Sequence, residues 1–153
     1  MKSLSTTDLD KAMRHVVGYK GAHPCDMMPQ DLKPPYSLIV NTDNSSKPGD
    51  HWIAIRVANG KVYFLDSFGR KFDNLSFPVD FRRTMRKMMR RRHLKFNNKL
   101  IQNLTSNACG YYAVYFLDGM SMEKRPKNLL KVFTEDLKRN DRFVVSYFKN
   151  IFK

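Results

Sequence analysis

Four residues, His51, Asp66, Gln102 and Cys109, are of the types that together run nucleophilic chemistry on a carbonyl, and they occur in that order. Cys109 stands in TSNACGYYAVYFLDG (105–119), between Asn107-Ala108 and a nearly unbroken apolar run. A thiol attacks only as thiolate, and the free amides and dipole at a helix N-terminus favour that form. From Cys109 to Leu117 the sequence is apolar on nearly all sides, which predicts a central buried helix ending near Gly119, with Asn107 as N-cap and Cys109 at the tip. The packing alternative is that Cys109 is a small buried apolar residue, the usual place of a lone cysteine before such a run.

A thiol nucleophile needs a base, and the segment HWIAIRVANGKVYFLDSFG (51–69) supplies one. Asn59-Gly60 is a two-residue hairpin signal between apolar-rich runs. With those two residues as the loop, Ala58 lies opposite Lys61, paired positions sum to 119, and Asp66 lies opposite Ile53. His51 is then on the same face and diagonal to Asp66, roughly 7–8 Å away between backbones, within reach of long side chains. Imidazole and carboxylate come together at one end of the hairpin, where the acid fixes the tautomer and orientation of the base. Gln102 offers a side-chain amide that, with the backbone N–H of Cys109, would make an oxyanion hole. Taken singly, Asp66 could only end a strand and Gln102 could only be a polar loop residue.

The remaining elements frame this group. A helix is expected from about Asp8 to Val17, capped by Ser5, Thr6 or Thr7 and stopped by Gly18. YKGAHPCDMMPQDLKPP (19–35) is punctuated by Gly and Pro and reads as a loop lining a cleft. Residues 36–41 read as a strand, 42–50 as a surface loop, and 77–93 as a helix with Pro78 and Asp80 in its first turn. Phe81, Met85, Met88 and Met89 form the apolar stripe of that helix, a core face. LIQNL (100–104) reads as a short strand, and the C-terminal 28 residues as one or two amphipathic helices with basic outer faces.

Composition narrows the class. A chain of 153 residues without repeats or low-complexity linkers fits a single domain, 1–153. No apolar run approaches the roughly 18 residues of a membrane span, and the first residues lack the apolar core of a signal peptide, so neither membrane insertion nor secretion is expected. Cys25 and Cys109 share no metal-knuckle context, and the four histidines lack paired helical spacing, so no metal or small-molecule cofactor is expected. The formal charge is +14, and no acidic residue occurs between Asp80 and Asp118. Arg82, Arg83, Arg86, Lys87, Arg90 and Arg91 cover the polar side of the 77–93 helix, a surface that attracts DNA through counterion release or serves only as a solvated face.

LIVNTDNSSKPGDHWIAI, VYFLDSFG and IQNLTSNACGYYAVYFL together resemble the histidine, acid and cysteine blocks of the adenovirus-type cysteine endopeptidases (the adenain family), including relatives in Polinton-like elements and adenovirus-like viruses. The shared features are a His-Trp pair, an acid followed two residues later by Phe-Gly, an Ala-Cys-Gly box and a glutamine seven positions before the cysteine. The resemblance covers about residues 36–118. It implies an α+β, papain-like fold with a central, mostly antiparallel sheet flanked by helices and a buried helix bearing the cysteine. It also implies Cys109 as nucleophile, His51 as general base, Asp66 as orienter and Gln102 as oxyanion donor. The implied activity is maturation of virus capsid and core precursor polypeptides at Gly-containing sites, by a monomer stimulated by DNA, in the virion and the host nucleus. Asp66 departs from the Glu common in adenovirus enzymes. Cys25 lies outside the region where those enzymes bond an activating peptide by a disulfide, so that peptide is not carried over. A ubiquitin-like or SUMO-type deconjugating protease, an acyltransferase using the same residues and a non-catalytic, basic nucleic-acid-binding core protein stand as alternatives.

Overall fold

The computed structural model describes residues 1–153. Asn59 and Gly60 both take positive φ, 54° and 72°, the twist-matched turn that a two-residue hairpin demands. It joins β3 (Trp52–Ala58) to β4 (Lys61–Leu65) with Ala58 opposite Lys61 and Ala54 opposite Leu65. β2 (Tyr36–Asn41) pairs antiparallel with β3, Tyr36 opposite Val57.

Two further strands flank these three. β1 (Tyr19–Pro24) runs parallel to β2, where the sequence predicts only loop. Its register slips between Tyr19 and Ala22, and Gly21 within the slip has φ 98°. Such a bulge on an edge strand erases the period-two pattern by which strands are read. β5 (His93–Phe96) runs parallel to β4 on the other edge, giving the order β1-β2-β3-β4-β5, antiparallel at the centre and parallel at both edges.

Helices cover both faces. α1 (Thr6–Ala12) starts at Ser5, whose side chain accepts the Asp8 N–H while Asp8 returns a bond to the Ser5 N–H. It ends well before Val17, because the chain turns after Met13 and reaches Gly18 at φ 83°. α2 (Val79–Met89) likewise stops short of 93: Arg90 is extended and Arg91 takes φ 60°, turning the chain into β5. Residues 100–104 form no strand; the Ile101 and Gln102 amides instead donate to the Ser67 carbonyl. α3 (Cys109–Ser121) buries twelve of its thirteen residues. α4 (Pro126–Leu130) and α5 (Leu137–Ile151, capped by Asp136) close the fold.

The pleat sorts the core. Ile53, Ile55, Val57, Val62 and Phe64 face Phe77, Phe81 and Met85 beneath α2. Ile39, Ala54 and Leu65 face α1, α3 and the C-terminal helices, with Tyr112, Phe116 and Phe133. α3 is thus pinned at the middle of the sheet, and no helix is long and apolar enough to cross a membrane.

Candidate active site

His51 immediately precedes β3, Asp66 immediately follows β4, and Cys109 opens α3. The hairpin register alone decides that the first two meet, and the buried seat of α3 decides where the thiol stands. His51 Nε2 is 2.6 Å from Asp66 Oδ1, with both groups buried. With Nε2 committed to the carboxylate, Nδ1 is the nitrogen left for Cys109, which lies close enough to act on the His51 charge and whose Sγ accepts the N–H of the next residue, Trp52. The ring is clamped from the side by Phe68, stacked at 4.7 Å and 10°.

Asp66 is fully engaged. Oδ1 also accepts the Phe68 N–H at 3.1 Å, and Oδ2 accepts the Arg70 backbone N–H at 3.2 Å and Arg70 Nε at 2.8 Å. The Arg70 guanidinium is itself held flat over the Phe77 ring at 4.0 Å. Asn97 grips the backbone of Asp66 from below: its Oδ1 accepts the Asp66 N–H at 3.0 Å and its Nδ2 donates to the Asp66 carbonyl. Burial opposes ionisation of Asp66, but the bonds from His51 and Arg70 outweigh it and hold the carboxyl below its ordinary value.

For His51 burial favours the neutral ring, yet the bonds to Asp66 and Cys109 raise its pKa to about 9. The folded protein therefore binds this proton more tightly than the unfolded chain, whose ordinary value is 6.5. The stabilisation is complete below pH 6.5 and fades as pH rises through about 9. Chemical denaturation between pH 6 and pH 10 is expected to show this loss. A His51→Ala variant should show a flatter profile over the same range.

Cys109 is only 8% exposed, and its Sγ accepts the Trp52 N–H at 3.5 Å. The helix begins at Ala108, already in helical conformation, and no side chain caps it. Asn107 therefore does not serve as N-cap, and the first-turn amides at the cysteine are left uncovered. Gln102 is buried; its Oε1 accepts the Ser67 hydroxyl, and its Nε2 donates to the Ser106 carbonyl at 3.0 Å. The glutamine is thereby anchored between the turn after Asp66 and the turn entering α3.

A cleft of about 280 Å3 opens beside Cys109. One wall is the chain before and into α1, Ser3 to Thr6; the other is the loop that connects β2 to β3. Trp52 joins them, its Nε1 donating to the Leu4 carbonyl at 2.9 Å. Of the 19–35 segment only Pro24 reaches this cleft. Cys25 is buried in the core beneath the sheet, where desolvation and then nearby Asp26 push its thiol up to about 11.

Of the six basic residues singled out on α2, Arg83 pairs with Asp80 at 3.6 Å, and Arg82 Nε is spent on the Phe77 carbonyl at 3.1 Å. Arg86, Lys87, Arg90 and Arg91 are exposed and in no ion pair, the last two lying beyond the helix end. No group of three His, Cys, Asp or Glu side chains is arranged to hold a metal ion. Sequence reasoning missed Trp52, Phe68, Arg70 and Asn97. Phe68 and Arg70 stand close to Asp66 in DSFGR, whereas Asn97 is brought in from 31 residues away.

Similarity to known proteins agrees with this arrangement. The pattern of the adenovirus endoprotease family matches residues 27–140. Among solved structures, the ASFV pS273R protease superposes with a TM-score of 0.57 in two crystal structures, one of them of the selenomethionine protein, at 14% and 13% identity. The alignments cover 92% of this chain but only 66% and 65% of those proteins, so the chain spans just under two thirds of their length. No curated protein sequence is similar enough to match. The fold, a mixed sheet covered by helices, is the one shared with that protease. The chain belongs to the adenovirus endoprotease family.

Proposed function

We propose that the protein is a thiol endopeptidase that cuts virus capsid and core precursor polypeptides through an acyl-enzyme on Cys109. The observation that carries this reading is the chain of contacts from Asp66 through His51 to Cys109 at an uncapped helix tip. His51 Nδ1 takes the thiol proton, and Sγ attacks the scissile carbonyl. The oxyanion is met by the Cys109 N–H and by Gln102 Nε2, which exchanges its bond to the Ser106 hydroxyl for one to the oxyanion. His51 then protonates the leaving amine, and water, deprotonated by the same ring, releases the acid and restores the thiol. Asp66, locked by Arg70 and Asn97, keeps the imidazole in the tautomer that turns Nδ1 to sulfur. The small cleft, closed over by Leu4 and Trp52, suits substrates whose residues next to the cut are glycines.

The charge of +14 and the unpaired cations on α2 make DNA a natural activator. The enzyme works as a monomer, in the virion and the host nucleus where DNA and precursors coincide.

Alkylation at neutral pH, mapped by mass spectrometry, tests the reading. Cys109 is expected to react at least about tenfold faster than Cys25, whose pKa is raised and whose side chain is buried. A peptide containing Gly-Gly should be cut by the untreated protein and not by the adduct. Equal reactivity of the two thiols, with no cleavage in the presence or absence of DNA, would remove the protease reading.

A further inference from the structure

Behind Asp66, on the sheet face shared with α3 and α4, lies a groove of about 790 Å3. Six cations line it, Lys61, Lys95, Lys99, Arg125, Lys127 and Lys131, and no carboxylate does. None of the six takes part in an ion pair. They come from β4, β5 and the residues after it, and α4 with its flanks, 70 residues apart in sequence, so only the fold gathers them.

Like charges gathered in a concavity repel one another and focus the field into it, which lowers the stability of the empty protein unless a polyanion compensates. The groove is not purely ionic. Tyr63, Leu65 and Leu130 line its inner part, and Phe96, 39% exposed, stands among the lysines. Cations that track phosphates beside an aromatic ring that takes a base are the components of a single-strand nucleic-acid site. A volume of about 790 Å3 holds a few nucleotides of one strand.

We infer that this groove is the principal nucleic-acid site of the protein and binds a single strand, phosphates on the six cations and a base on Phe96. The inference rests on the nucleic-acid part of the function proposed above and relocates it. α2 packs on the opposite face of the sheet and keeps only two free cations, Arg86 and Lys87, with Arg90 and Arg91 beyond its end. The groove also abuts the catalytic acid: Asn97 lines it and holds the Asp66 backbone through both side-chain atoms.

Fluorescence anisotropy with a labelled 20-nucleotide thymidine strand tests the assignment. Lys95→Glu, Lys127→Glu and Lys131→Glu together should weaken binding at least about tenfold and lower the salt slope by about 2, from roughly 0.7 per lost phosphate contact. The same positions changed to Gln guard against a folding defect from added acid and should show the same slope change. Phe96→Ala should weaken binding about tenfold with the salt slope unchanged, since stacking releases no counterion. Arg86→Glu, Arg90→Glu and Arg91→Glu together should cost less than about threefold. If the α2 variant takes the loss and the groove variants bind like the parent, the groove assignment is overturned while the nucleic-acid reading survives. If the parent protein binds no strand at all, both fall.

Discussion

His51→Ala is expected to lower kcat/KM for peptide cleavage by about 10^4 or more, and to lower stability below about pH 9 by what the His51 titration contributes. The ring is the one group in contact with both Asp66 and Cys109. Its loss removes the group that holds the proton given up by the thiol and hands it to the departing amine. It also removes the cation that stands beside the sulfur up to about pH 9, so alkylation of Cys109 between pH 6 and pH 8 should slow as well. That second readout separates loss of the base from general damage to the cleft. Retained cleavage within about tenfold of the parent would show that another group serves as base.

Gly69→Ala is expected to cost about 3 kcal/mol or more of stability and most of the activity, although residue 69 touches no substrate. Gly69 takes φ 77°, and an added Cβ would stand 2.6 Å from the Lys99 carbonyl carbon and 2.9 Å from the Leu100 nitrogen. Those are backbone atoms, so no rotamer change relieves the clash. The left-handed conformation adds its own penalty of about 1–2 kcal/mol for a residue with a Cβ. The segment that must yield carries Asn97 two residues before Lys99 and Gln102 three residues after it. One methyl group therefore loosens the brace of the acid and displaces the oxyanion donor together. The measurement is a denaturation midpoint alongside kcat; a variant as stable and as active as the parent would contradict the close approach.

The parts of this design that are local in sequence are legible in it. The Asn59-Gly60 turn specifies both its own type and the register, so the meeting of His51 and Asp66 follows from counting. The apolar run after Cys109 specifies a buried helix because so few polar positions leave it no solvent face. What escapes is long-range or irregular. β1 hides behind a bulge at Gly21, and β5 hides inside a basic run whose helical periodicity continues past the point where Arg91 reverses the backbone. Asn107 carries the chemistry of an N-cap but lies one residue before that position, which Ala108 holds. Arg70 and Asn97 have no signature as partners of Asp66, because a hydrogen bond to a backbone or a neighbouring carboxylate leaves no periodic trace. The cationic groove is equally invisible, its lysines being scattered over three elements while the conspicuous arginines line up on α2.

The hairpin also divides the site into a short-range pair and a long-range addition. His51 and Asp66 are 15 residues apart, whereas Trp52 and Cys109 are separated by 57. Closing the longer loop costs about 1 kcal/mol more chain entropy, and that contact is made only when α3 enters the core. The acid and base are thus the cheaper pair to close, and the thiol is brought to them only by the packing of α3. A chain with the hairpin formed and α3 unpacked would carry an imidazole with no sulfur beside it, so the proposed chemistry depends on the core as well as on the turn.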